Sequence, residues 1–136
     1  MYIIACNEKQ KNKQMKYKII NPDVINKSMM GNPQMVRQFV EMYIDQSPVD
    51  FRILISSLAN NDKKGIRDSA HHIKPTMEYI GASSLRIAFQ ELENMGRDEV
   101  EMDTIKIKFE QIQKDFDLMI EELKSFIIEI ESSIKD

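Results

Sequence analysis

The chain's two histidines stand side by side in the run Ser69-Ala70-His71-His72-Ile73-Lys74-Pro75, which closes at Tyr79-Ile80-Gly81-Ala82. An imidazole has an ordinary pKa of about 6.5, so near neutral pH it offers an unprotonated ring nitrogen as a nucleophile. Lys74 follows His71 by three residues, one helical turn along, where a compact ammonium can reach the oxygens of a phosphoryl group. Pro75 follows by four and has no N–H to give the His71 carbonyl. In the interior of a simple host helix a proline costs about 3 kcal/mol. It should bend the helix at this point and leave that carbonyl unpaired. A solvent-facing histidine with a cation one turn along is a place to hold a phosphoryl group.

Helices must position this run. Asn21-Pro22, Asn32-Pro33 and Ser47-Pro48 each put a capping side chain before a proline at a first helical position, and so predict three helix starts. The first helix spans 22–30 and ends at Gly31. The second spans 33–46 with Val36, Phe39, Val40, Tyr43 and Ile44 on one face. The third starts at Pro48, carries Phe51, Leu54, Ile55 and Leu58, and ends at Asn60-Asn61, with a sharp turn at Gln46-Ser47. Asp62 caps a helix over 62–80 whose apolar residues are Ile66, Ala70, Ile73, Met77 and Ile80. At about 100° per residue these five fall within about 80° of one another. With that stripe at the origin, His71 lies at about 140°, Glu78 at about 120° and Lys74 at about 80°. His72 lies at about 240°, on the opposite flank with Asp68 and Tyr79. Both histidines are therefore expected outside the core.

A further helix over 83–95 presents Leu85, Ala88, Phe89, Leu92 and Met95 and stops at Gly96. The last carries Ile105, Phe109, Ile112, Phe116, Met119, Leu123, Phe126 (or Ile127), Ile130 and Ile134. At about 45 Å for thirty residues it outreaches its neighbours, so its end is expected to project beyond them. These elements predict an all-α fold: an up-and-down four-helix bundle with a short extra N-terminal helix and a long C-terminal helix, over residues 21–136.

Composition narrows the chemistry. With 136 residues, 42% hydrophobic and 30% charged, the chain has the length of one domain and the balance of a helical globular one. A single cysteine, Cys6, allows no internal disulfide and fits a reducing, cytoplasmic setting. The opening Met1-Tyr2-Ile3-Ile4-Ala5-Cys6 is too short for a signal-peptide core, and no later stretch approaches a membrane span. Residues 1–20 carry five lysines against one glutamate while the whole chain is −3, so they form a basic leader. Without arginine or interleaved aromatics it is expected to be a solvated, partly disordered terminus rather than a nucleic-acid site. There is no glycine-rich phosphate loop, which argues against nucleotide binding and autonomous kinase activity. Adjacent histidines about 100° apart cannot chelate one metal ion. Asp68-x-x-His71, the nearest approach to a Glu-x-x-His motif, occurs once and off the apolar stripe, which argues against a di-iron bundle.

The run Ala70-His71-His72-Ile73-Lys74, with Gly81 ten residues after His71, resembles the signature of histidine-containing phosphotransfer (HPt) domains: Ala-His-x-Leu-Lys-Gly, two small residues and a later glycine. Leu92, Asn94, Gly96 and Arg97 resemble the end of the family's next helix, where an arginine often sits close to the phosphohistidine. The resemblance covers roughly residues 30–130. The chain departs from it at Pro75, where the family has glycine, at Thr76, Met77 and Glu78, which are bulkier than the family's small residues, and at Glu93, where a glutamine is often found.

The resemblance implies a phosphorelay intermediate. A response-regulator receiver domain would bring the phospho-aspartate and its Mg²⁺, so this chain would need no cofactor of its own. His71 would be the nucleophile, through Nε2 by family analogy, and later the donor to a second receiver. Lys74 would screen the phosphoryl charge, with Arg97 as a further cation and His72 as a bystander. The implied partners are receiver domains and a hybrid histidine kinase, met by a monomer. The initiating methionine and lysine-rich leader favour a free-standing protein. Two other readings stand beside this one: a helical adaptor that binds a receiver or kinase without carrying phosphate, and an oligomer built on the long last helix.

Overall fold

The computed structural model of the chain describes residues 16–135. The Asn21 side chain accepts from the Asp23 N–H at the start of α1 (Pro22–Ser28), and Asn32 accepts from Gln34 and Met35 at the start of α2 (Pro33–Ala59). Asp62 accepts from Gly65 at the start of α3 (Lys63–Tyr79). Each oxygen satisfies an amide that the first helical turn leaves free. α4 (Ser83–Arg97) and α5 (Met102–Lys135) complete the set, and no strand occurs among the described residues. α2 packs on α3, α3 on α4, α4 on α5 and α5 back on α2, which closes an up-and-down four-helix bundle. None of these helices is long and apolar enough to cross a membrane.

The core follows the predicted stripes. Ile66, Ala70, Ile73, Met77 and Ile80 are all buried, as are Leu85, Phe89 and Leu92 facing them from α4. Phe51 of α2 stacks on Phe116 and Phe109 of α5, with centroids 4.0 and 5.3 Å away, and meets Phe89 edge-on at 6.5 Å. Such offset and edge-on pairs add to simple area burial.

Two expected boundaries are corrected. The turn at Gln46-Ser47 does not exist: α2 runs unbroken through Pro48. Proline removes only the bond to the Ile44 carbonyl, whereas a break would interrupt a stripe that stays in phase across it. Val36, Val40, Tyr43, Ser47, Phe51, Leu54 and Leu58 are all buried at steps of three and four. Gly96 likewise does not stop its helix, which continues to Arg97 with Gly96 buried inside it.

Of the predicted leader, residues 1–15 lie outside the described residues. Tyr17, Ile19 and Ile20, by contrast, are buried, and Tyr17 meets Phe126 in the far half of α5 edge-on at 6.1 Å. The buried Glu122 carboxylate accepts from the amides of Lys18, Ile19 and Ile20 at 2.8, 2.9 and 3.0 Å. Farther along α5, the Tyr17 hydroxyl donates to Glu129 at 2.6 Å and Lys16 pairs with the same carboxylate. Glu122→Leu should cost about 2–6 kcal/mol, because two buried amides lose their partner at about 1–3 kcal/mol each. Urea denaturation should show this as a lower midpoint; an unchanged midpoint would mean the segment is not held by Glu122.

α1 docks on the turn between α3 and α4. There the Asn21 N–H donates to the Ile80 carbonyl at 3.0 Å, and Gly81 has φ +69°. A Cβ at Gly81 would stand 2.6 Å from that of Asn21, so both the left-handed backbone and the close approach require glycine.

Candidate functional site

α3 and α4 form an antiparallel pair, and their closest approach sets the site. A Cβ added at Gly96 would lie 2.8 Å from the Lys63 carbonyl and 3.0 Å from the Arg67 amide, so the missing side chain lets the backbones meet. One turn back along α4 this brings Glu93 level with His71. α3 passes through Pro75 as one helix, and the proline gives the His71 carbonyl no N–H.

Both histidines are outside the core, with 72% of the His71 side chain and 73% of the His72 side chain exposed. His71 Nδ1 lies 2.7 Å from Glu93 Oε1. A carboxylate can only accept, so Nδ1 carries the hydrogen and donates it. In the neutral ring the lone pair then resides on Nε2, which faces no partner among the described residues. The arrangement selects the tautomer with its free nitrogen in solvent.

Glu93 is itself held from several sides. Lys74 Nζ lies 3.2 Å from Glu93 Oε1 and 2.5 Å from Gln90 Oε1. Gln90 Nε2 donates to Glu93 Oε2 at 3.2 Å and to Asn94 Oδ1 at 2.9 Å. Partial burial alone would raise the Glu93 carboxyl, but hydrogen bonds from Lys74, His71 and Gln90 outweigh it and hold the group below its ordinary range. The carboxylate therefore stays charged throughout the neutral range.

The sequence-derived residues fall into two groups. His71 and Lys74 meet through Glu93, with Lys74 partly buried at 19% side-chain exposure. Arg97 lies one turn beyond Glu93 on α4 and pairs with its neighbour Asp98 at 3.2 Å, outside the hydrogen-bonded group. His72 is directed toward α2, where Asp50 lies 3.7 Å from its Nε2, too long for a hydrogen bond. Sequence reasoning missed Gln90 and the role of Glu93. It also missed Arg67, a cation one turn before His71 whose Nε lies 3.1 Å from Asp68. The signal for Arg67 was present, since four residues is one helical turn. Gln90, Glu93 and Asn94 likewise share one face of α4 at three- and four-residue spacing.

On the α2 side an apolar strip stands among polar residues. Val49 and Ile53 are exposed, one residue before and three after Asp50, and Tyr79 of α3 is exposed near Tyr43. A family model described as "Hpt domain" matches residues 38–126, which takes in α3, α4, most of α2 and most of α5. No curated protein and no solved structure matches the chain.

Proposed function

The chain belongs to the Hpt domain family, and from that premise we propose that it is a phosphorelay intermediate that takes a phosphoryl group from a receiver-domain aspartate onto His71. The observation that carries this reading is the His71–Glu93 contact, which leaves Nε2 as the one exposed, unprotonated nitrogen of the ring. The Nε2 lone pair attacks phosphorus, the bond from phosphorus to the receiver's carboxylate oxygen breaks, and the electron pair leaves with that carboxylate. The Nδ1 proton stays in place, so no base is needed. The ring gains positive charge as the N–P bond forms, and Glu93 stabilises it as a buried aspartate stabilises a catalytic imidazolium. The same steps in reverse pass the group to a second receiver.

Phosphoryl transfer through a loose transition state depends mainly on positioning and charge stabilisation. On this reading Lys74 supplies charge from within the site, with Arg97 and Arg67 as outer cations. The receiver brings Mg²⁺, and this chain contributes no cofactor and binds no nucleotide. Its partners are receivers and the hybrid kinase upstream, met by a cytoplasmic monomer. Incubation with a phosphorylated receiver should leave an acid-labile, alkali-stable phosphate on the chain. Absence of label with every receiver tested would favour an adaptor that docks without carrying phosphate.

The apolar strip along α2 supports docking beside the histidines. A charge there should repel an apolar partner face and leave the fold alone, because Ile53 is 56% exposed. Ile53→Glu should therefore slow transfer from a receiver about tenfold, equivalent to about 1.4 kcal/mol. Labelling by a small phosphoryl donor such as phosphoramidate should not change. Equal slowing with both donors would place the effect on the histidine instead.

A further inference from the structure

We propose that Gln90 is a positioning residue of the phosphotransfer site, holding Glu93 and Lys74 so that Glu93 Oε1 stays turned toward His71. The inference rests on the reading of His71 as the phosphorylated residue. Gln90 is part-buried on α4, one turn before Glu93 and Asn94, and no sequence motif singles it out.

Its amide orientation is set by its neighbours. The Lys74 ammonium has only hydrogens to give, so it must face Gln90 Oε1, at 2.5 Å. The Glu93 carboxylate can only accept, so it must face Gln90 Nε2, at 3.2 Å. Asn94 Oδ1 takes the second Nε2 hydrogen at 2.9 Å. A flipped amide would set oxygen against oxygen and nitrogen against nitrogen at these contacts. A neutral amide can accept from the cation and donate to the anion at once, which neither a carboxylate nor an ammonium can do.

This division of partners matters because Lys74 and His71 compete for the same oxygen. Glu93 Oε1 lies 2.7 Å from His71 Nδ1 and 3.2 Å from Lys74 Nζ. Lys74 Nζ also lies 3.5 Å from Glu93 Oε2, so the ammonium straddles both oxygens. Gln90 draws it toward its own Oε1 and donates to Glu93 Oε2, which holds the carboxylate plane with Oε1 toward His71. When phosphate forms at Nε2 its negative charge draws on the same lysine, and the neutral amide releases a cation more readily than a second carboxylate would. Gln90 thus acts through Glu93 and Lys74 and touches neither the phosphoryl group nor the imidazole.

The test uses the full chain with Gln90→Leu and Gln90→Glu, phosphoramidate as donor, and ring ¹⁵N shifts of His71 as a readout independent of transfer. Wild type should show His71 held with hydrogen on Nδ1. Gln90→Leu should mix the two tautomers and slow labelling about tenfold. Gln90→Glu still accepts from Lys74 but sets a carboxylate against Glu93, so both acids become harder to ionise. Its acid limb of labelling should move to higher pH, a change that mere loss of packing would not produce. Wild-type ¹⁵N shifts and pH profiles in both variants would overturn the proposal. A wild-type chain that takes no phosphate on His71 would instead sink the underlying reading. Should Gln90→Leu fail to fold, the Gln90→Glu profile decides alone.

Discussion

His71→Gln should abolish phosphate labelling from a receiver, while His72→Gln should label at close to the wild-type rate. The two residues are adjacent and equally exposed, so composition and accessibility cannot separate them. Their neighbours do. His71 donates from Nδ1 to a carboxylate at 2.7 Å, which fixes the ring and leaves Nε2 in solvent. The nearest acceptor to His72 lies 3.7 Å away on the opposite flank, so nothing comparable fixes its tautomer or its ring plane. Lys74 reaches the Glu93 carboxylate that holds His71. Both substitutions are at exposed positions and should change stability by no more than about 0.5 kcal/mol. A loss of label can then be assigned to the missing nucleophile. Unfolding midpoints measured beside the labelling assay check this. Label that survives His71→Gln and vanishes with His72→Gln would reverse the assignment.

Much of this site was legible in one helix. The stripe of α3 runs in steps of four and three through Ile66, Ala70, Ile73, Met77 and Ile80, and all five are buried. Periodicity that regular excludes both histidines from the core without a structure. What it cannot supply is the facing helix. Glu93 stands out in the sequence only as a departure from a resemblance, and its contact with His71 depends on the close passage of α4 at Gly96. Gln90 was less legible still, because a part-buried glutamine has no pattern of its own until its partners are known. Arg67 was within reach of the same helical arithmetic that found Lys74.

The fold shows a similar division. Asn21-Pro22 and Asn32-Pro33 mark true helix starts, while Ser47-Pro48 has the same local form in the middle of α2. Local propensity cannot distinguish them; the stripe that continues in phase from Tyr43 through Ser47 to Phe51 can. Burial of one long face outweighs the backbone bond lost at Pro48. The same holds at Pro75, where α3 continues although the His71 carbonyl is left without its usual donor. By charge alone Tyr17, Ile19 and Ile20 belong to a basic leader. Their attachment depends on Glu122, more than one hundred residues away in sequence, and no local pattern reports a contact of that range.

Glu93 gives the other large expected effect, and its two substitutions separate charge from hydrogen bonding. Glu93→Gln keeps an oxygen for the Nδ1 hydrogen but removes the charge opposite a ring that becomes cationic as the N–P bond forms. Transfer should fall about tenfold, or about 1.4 kcal/mol in the barrier. Glu93→Leu removes both, frees the tautomer, and leaves the partly buried Lys74 and the Gln90 amide short of an acceptor. Transfer should fall about 100-fold, and stability by about 1–3 kcal/mol. Stability should also carry a pH signature. The folded Glu93 carboxyl is held below its ordinary 4.5, so its contribution is fully present above that value and fades as pH falls through the lower, folded one. The stability gap between wild type and Glu93→Gln should be constant near neutrality and narrow as pH falls below 4.5. Denaturant titrations at a series of pH values measure the gap, and single-turnover labelling measures the rates. A gap that widened toward low pH would contradict the sign derived for Glu93. Equal labelling by all three proteins would remove this carboxylate from the transfer step.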